Sequence, residues 1–438
     1  MRIWIGIIFA LLFTSVAQAQ TLEALPLTLD DAIARGLMTS HRIEEASARH
    51  DAAAAVADQR HATALPKFDL LAGYTRTNHV PNFVVPYAPP DGFLVVYPDV
   101  PNNYSARLNG QFPLYTGGRL EALERAAGAD RAASVNDIEA LRSDLKVNIA
   151  QAFWNLVAAA DAVAVLDESL TQMEAHVRDT RNRLDAGLIP PNDVLTAEAQ
   201  LSRERMLRIE AAGGRDVAEA GLVRLVGLPA GTTIRPVLPD APSPSAERFD
   251  DLMATARTNR SDRKALADRV AASAARSDAA GAGKRPTVAV AGGFDYARPN
   301  PRIFPRKPEW NTSWDASLNV SVPIFDGGRT SAETAEAAAN TRAAGARLAE
   351  FDTMLTLEIR QRLTEIETSR AALAAADDTI RAATEARRVV NERFAAGVAT
   401  STDVLDAQTD IVRAGLDRTQ AIVRLRTAQA GLDRAVGR

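Results

Sequence analysis

Two stretches of 67 residues, Arg119–Asp185 and Arg329–Ala395, contain no proline and repeat apolar residues every three or four positions. Ile138, Leu141, Leu145, Ile149 and Phe153 carry that spacing in the first; Leu348, Phe351, Leu355, Ile359 and Leu363 carry it in the second. The period predicts amphipathic helices, each about 100 Å long at 1.5 Å per residue. A rod of that length cannot curl around a globular core, so it must pack lengthwise on other rods. Four shorter proline-poor runs are predicted as half-length helices: Asp30–Leu65, Asp193–Val226, Asp250–Lys284 and Asp403–Val436. Two of these laid end to end measure about 105 Å. Each long helix is therefore expected beside two stacked half-helices, with the connector and both mature ends at their joint.

The chain repeats itself. "RLDAGLIPPNDVLTAEAQ" (183–200) answers "RFAAGVATSTDVLDAQTD" (393–410), and "GQFPLYTGGRLEA" (110–122) answers "VSVPIFDGGRTSA" (320–332), both at an offset of 210. Earlier in each copy the offset is 220, as from Pro66 to Pro286, so the ten-residue difference falls in the stretch 80–102, which reads as a surface loop. That apolar loop, with Tyr87 and Tyr97, fits an external binding surface or a cover over a barrel mouth. The sequence thus divides into residues 1–19, a first repeat (20–228), a proline-rich connector (229–248) and a second repeat (249–438).

Between the helices the period changes to two. "NYSARLNGQFPL" (103–114) alternates Leu108, Gly110 and Phe112 with Arg107, Asn109 and Gln111; "SWDASLNVSVPI" (313–324) alternates Trp314, Leu318 and Ile324 with Asp315, Ser317 and Asn319. This predicts strands with one apolar face, and 66–78 and 286–298 are the weaker partners that complete two hairpins. Strands of about ten residues match transmembrane β-strands in size. Four strands capping a soluble helical bundle would alternate in the same way. If the strands sit in lipid, several chains must share one barrel, because the smallest close with about eight strands and an open edge leaves backbone groups unpaired.

Arg2, the apolar run Ile3–Phe13 and the small-residue site Ala17-Gln18-Ala19 read as a signal peptide. No other stretch without charges is long enough to cross a bilayer as a helix. The formal net charge of −4, or −5 once Arg2 is removed, argues against nucleic acid as partner. With no cysteine there is no disulfide, no thiolate metal site and no lipid-anchor cysteine. The five histidines are scattered, and no phosphate loop, nucleophile elbow or His-Glu-x-x-His is present, so neither enzyme activity, cofactor nor metal is expected.

In this order and in duplicate, the signal peptide, hairpins, long helices, "FPLYTGGR" and "VPIFDGGR", "AGLIPPNDVLTA" and "AGVATSTDVLDAQ", and "VGLPAGT" resemble the TolC-like outer membrane efflux and secretion ducts. The resemblance covers the whole mature chain. It implies a mainly α fold with a transmembrane β-barrel portion. A homotrimer would form a twelve-stranded β-barrel in the outer membrane of a Gram-negative bacterium, continued by a periplasmic α-helical barrel. It implies a passive duct of a tripartite efflux or type I secretion system, whose helical tips meet a periplasmic adaptor coupled to an energised inner-membrane transporter. A soluble periplasmic scaffold or adaptor is the alternative.

Site residues follow from motif positions. Gly187 and Gly397 suit the left-handed position that ends a helix. Asn192 or Asp193, and Thr402 or Asp403, are expected to cap the return helices. The tips Gly187, Leu188, Ile189, Asn192 and Gly397, Val398, Ala399, Thr402 are the adaptor-docking candidates; a plain exposed helix hairpin is the other reading. Pro113, Gly117, Gly118 and Pro323, Gly327, Gly328 mark the passage from strand to helix. By resemblance Asp403 and Asp406, three residues apart on one helical face, form an acidic ring at the periplasmic mouth, with Asp193 but Thr196 in the first copy. Acids also simply suit a helix N-terminus. The family's tyrosine and arginine latch positions match Phe394 and Ala399, which leaves Phe394 and the acids as the expected pore constriction.

Overall fold

The strands and helices follow the change of period along the chain. The computed structural model describes residues 24–86, 92–238 and 248–438. The expected signal peptide, Tyr87 and connector residues 239–247 lie outside the described residues. In chain order the elements are β1 (Leu25–Thr28), α1 (Leu29–Thr39), α2 (His41–Thr63), β2 (Lys67–Arg76), β3 (Phe83–Pro86), β4 (Phe93–Tyr97) and β5 (Asn102–Tyr115). These lead into α3 (Arg119–Asp185), α4 (Pro191–Leu225) and β6 (Ile234–Val237). The second half contains α5 (Phe249–Asn259), α6 (Ser261–Gly281), β7 (Thr287–Arg298), β8 (Asn311–Ser321), α7 (Arg329–Ala395) and α8 (Ser401–Val436).

The chain forms two compact units that cut across the sequence repeats. One holds residues 24–40, 145–238 and 365–430 of the described chain; the other holds 41–144, 248–364 and 431–438. Both repeats contribute to each unit, because the helices find their lateral partners in the other copy as well as in their own.

In the first unit, β1 pairs in parallel with β6, Leu25 opposite Ile234, and Leu27 is buried beneath the pair. The pairing gives the connector a strand where an irregular segment was expected. Thr28 caps α1 by accepting from the Asp31 amide at 3.1 Å while donating to the Asp31 carboxylate at 2.7 Å. A window of α3 is apolar and long enough to cross a membrane by length and composition, although it is not free of charges. Its Ile149, Phe153 and Leu156 are buried on the chain itself, and Thr419 donates to Asp161 within it at 2.5 Å. This stretch is a packed helix.

In the second unit, Leu252, Met253 and Ala256 of α5 pack on Leu355 and Ile359 of α7 and Val436 of α8. The half-helices expected over Asp30–Leu65 and Asp250–Lys284 are both broken, at Ser40 and at Arg260, where the backbone turns extended with ψ of 112°. The second break has a long-range cause. The buried Arg260 donates to Asp262 at 2.8 Å, to Glu358 at 2.9 Å and to the Ala435 carbonyl at 3.1 Å. A buried guanidinium needs such partners, and the bend is what brings them together.

The same unit holds one antiparallel sheet of order β2-β5-β7-β8. The two hairpins are joined by β5 pairing with β7 from Tyr104 opposite Arg298 to Tyr115 opposite Val288, with an irregularity after Pro113. Strand β8 ends at Ser321, so Val322, Pro323 and Ile324 lie beyond it, a shorter strand than the expected 313–324. The loop 80–102 contains a small hairpin of its own, β3 with β4. One face of the sheet is apolar and open: Phe68 is 73% exposed, Leu70 71% and Trp314 72%. Strands β2 and β8 each have one unpaired edge within the sheet.

Candidate functional site

Each long helix ends in the same turn. At the first tip, Gly187 takes φ +70°, and the Leu188 amide reaches back to the Arg183 carbonyl at 2.9 Å. At the second, Gly397 takes φ +77°, and Val398 bonds the Arg393 carbonyl at 2.9 Å. This six-to-one bond across a left-handed residue closes a helix C-terminus with glycine as the residue of least strain. Leu188 and Val398, just past the glycines, stand 73% and 64% exposed. Ile189 and Ala399 are half-buried beside them, and Asn192 and Thr402 are exposed.

The return helices start differently. Helix α4 begins behind Pro190 without a side-chain cap, and Asn192 donates to Asp193 instead of capping. In α8 the cap is Thr400 rather than Thr402: its hydroxyl accepts from the Asp403 amide at 3.2 Å. Asp403 accepts in return from the Thr400 amide and hydroxyl, both at 2.8 Å. These bonds, the backbone one foremost, hold the Asp403 carboxyl below its ordinary range. Asp403 is thus the reciprocal partner of a capping box.

Asp403 and Asp406 line one groove together with Asp410, Arg413 and Asp417 of α8, facing Ala382, Ala386 and Val390 of α7. Asp410 and Asp417 were missed, although their spacing of 4, 7 and 11 from Asp406 and Asp403 puts them on the same face. Asp193 is not brought to this groove. Nor is Phe394, which lies buried in a neighbouring pocket with His176, Asp179 and Arg183 of α3. The Arg183 guanidinium sits 4.3 Å over the Phe394 ring and donates to its carbonyl at 3.0 Å. The His176 ring centroid is 5.2 Å from that of Phe394, and its Nε2 is 2.9 Å from the Ser401 hydroxyl. Burial pushes the His176 imidazole below its ordinary pKa, against Asp179 and with Arg183. The two hairpins of this unit are therefore tied by contacts from α3 to the second tip.

At the strand-to-helix passages the repeated glycines all take positive φ: Gly117 +67°, Gly118 +85°, Gly327 +67° and Gly328 +87°. In the second copy Asp326 accepts from the Gly328 amide at 3.0 Å and the Thr330 amide at 2.9 Å. The Thr330 hydrogen bonds lead in lowering its carboxyl to about 2. In the first copy Thr116 accepts from the Leu120 amide at 3.3 Å instead.

Among the described residues no group of three or more potential metal ligands occurs. The site thus combines a duplicated unit of short sheet and very long helices, an open apolar sheet face and glycine-ended helix tips. The match to the outer membrane efflux protein family model covers residues 32–228 and 252–438, and the chain belongs to that family. It is accordingly an outer-membrane protein. Protein CyaE of Bordetella pertussis is 32% identical over 223 residues, 49% of this chain and 45% of CyaE. The outer membrane efflux protein BepC of Brucella suis is 28% identical over 308 residues, 68% of this chain and 65% of BepC. The chain thus spans about half to two thirds of the length of these relatives. The outer membrane channel CmeC of Campylobacter jejuni shares the fold at a TM-score of 0.79 and 18% identity, over 93% of this chain and 85% of that one.

Proposed function

We propose that three copies of this chain form a passive outer-membrane duct serving an efflux or type I secretion system. Each copy supplies four strands to a twelve-stranded barrel, which the helices continue into the periplasm. The observation that carries the reading is the sheet β2-β5-β7-β8, apolar on one open face and unpaired at both edges. In lipid each edge must find a partner strand, and β2 of one copy against β8 of the next supplies it. The tips around Leu188, Ile189, Asn192 and Val398, Ala399, Thr402 dock a periplasmic adaptor, which couples the duct to an energised inner-membrane transporter. Exposed apolar residues at paired helix ends suit such a contact.

The acidic groove at Asp403 and Asp406 forms the cation-favouring mouth of this duct. Asp193 and Phe394 take no direct part in the ring. Envelope fractionation is the test: the protein should need detergent for extraction and run as a heat-sensitive trimer, and a compact single subunit in the aqueous fraction overturns the reading. In planar bilayers, Asp403→Ala with Asp406→Ala should raise conductance and lower cation preference; unchanged values remove the ring.

A further inference from the structure

The second face of the sheet is largely polar; β2 contributes Lys67 and Asp69, of opposite charge, and the ionisable groups of β5, β7 and β8 on it are concentrated at one place. Between Asn103 and Gln111 of β5, and throughout that face of β7 and β8, the residues are Asn, Ser, Gln, Thr, Ala or Gly except for Arg107, Asp295 and Asp315. Arg107 stands directly opposite Asp295 in the β5–β7 register. Its three nitrogens find three acceptors: Asp295 at 2.5 Å, Asp315 at 2.8 Å and Asn109 at 2.6 Å. Arg302 adds a second guanidinium, 2.8 Å from Asp315. The seat for Arg107 is built by Gly293, where an added Cβ would lie 2.4 Å from its terminal nitrogen. A side chain of any kind at 293 would push the guanidinium off its acceptors.

We infer that Arg107 is a specificity-determining residue of the duct: it cancels Asp295 and Asp315 on the lumen side of the barrel and keeps that level of the wall near neutral. The inference rests on the duct reading, which turns the apolar face with Leu108, Phe294 and Trp314 to lipid and the Arg107 face to the lumen. Water reaches the cluster, since the Arg107 side chain is 32% exposed and that of Asp315 29%. Removing the Arg107 guanidinium leaves the two carboxylate side chains with the single Arg302. In three copies that becomes a negative belt, and fixed charge on a pore wall selects ions of opposite sign. A role confined to holding strands would depend on the guanidinium fork rather than on its charge.

The experiment is reversal potential in planar bilayers with purified full-length protein. A tenfold KCl gradient from 10 to 100 mM is used, where screening lengths are about 30 and 10 Å. Arg107→Gln should raise the potassium-to-chloride permeability ratio about twofold. Asp295→Asn with Asp315→Asn should lower it. Arg107→Lys, which keeps the charge without the fork, should keep the wild-type ratio. Wild-type ratios in both Arg107→Gln and the double aspartate variant overturn the inference, as does an Arg107→Lys shift equal to that of Arg107→Gln. Should Arg107→Gln fail to assemble, the aspartate variant decides alone. Absence of any pore from the wild-type protein removes the duct reading itself, a result separate from a pore of unaltered selectivity.

Discussion

At the first tip the turn after α3 is followed by Pro190 and Pro191; at the second, the turn after α7 is followed by Thr400 and Ser401. The backbone is nearly the same, with glycine φ of +70° and +77° and one closing bond of 2.9 Å at each. What differs is how much else holds the turn. The second tip has a capping box, a buried aromatic anchored by Arg183 and a hydroxyl in contact with His176. By the 210-residue offset, the counterparts of Phe394 and His176 are Leu184, half-buried, and Ala386. The acids differ as well: Asp406, Asp410 and Asp417 answer to Thr196, Gln200 and Leu207. Both copies have the turn that reverses the chain, and only the second has the side chains that tie it down and charge it.

The largest asymmetry should come from the aromatic. Phe394→Ala removes a buried ring and should lower the local opening free energy of the second tip by about 3 kcal/mol. Leu184→Ala should cost the first tip clearly less. Native-state hydrogen exchange of the two turns in detergent measures both. Equal losses would break the comparison. The next effect is shared: Gly187→Val or Gly397→Val forces a β-branched residue into the left-handed region, about 2 kcal/mol at either tip. Near-equal falls in thermal midpoint would confirm that the turns are equivalent where the glycines act alone.

The parts of this molecule that local chemistry decides were legible in the sequence. Absence of proline and a period of 3.6 sufficed for α3 and α7, period two for β5 and β8, and the repeated glycine for the turn at both tips. What escaped was decided over distance. Nothing near Arg260 announces a helix break, because its partners Glu358 and the Ala435 carbonyl lie 98 and 175 residues away. The pairing of β1 with β6 joins two four-residue segments too short to show a period. Arg183 meets Phe394 across 211 residues. The Asp406-Asp410-Asp417 stripe is different: its spacing is local, but acids on one face of an exposed helix are also what a solvated surface carries, so the spacing alone does not mark a groove.

A smaller difference between the tips lies in their caps. Thr400→Ala and Asp403→Ala each remove half of the capping box and should each cost the second tip about 1 kcal/mol. Asp193→Ala, whose side chain accepts from the neighbouring Asn192 side-chain amide, should stay within about 0.5 kcal/mol. Exchange rates of the first-turn amides of α8 and α4 report the two directly. A cost at Asp193 as large as at Asp403 would show that the acids act through the helix dipole alone, which both helices share.

The smallest effect is confined to one tip and to one pH window. His176 faces Asp179 and Arg183 on its own helix, while α7 and α8 present Asn391, Phe394, Ser401, Val404 and Gln408 to the pocket, none of them charged. Burial leads in depressing its pKa below the unfolded value near 6.5. A group depressed in this way binds its proton more readily when the structure opens, so the stability it contributes is present above about pH 6.5 and is lost as pH falls through the lower folded value. Acid should therefore loosen the second tip and leave the first, with Ala386 at the matching position, unaffected by this route. Hydrogen exchange at Ser401–Leu405, corrected for intrinsic rate, should show more opening at pH 5 than at pH 7, and His176→Gln should abolish the difference. Loosening of both tips alike would place the proton elsewhere, and would leave the two turns distinguished by packing and capping but not by titration.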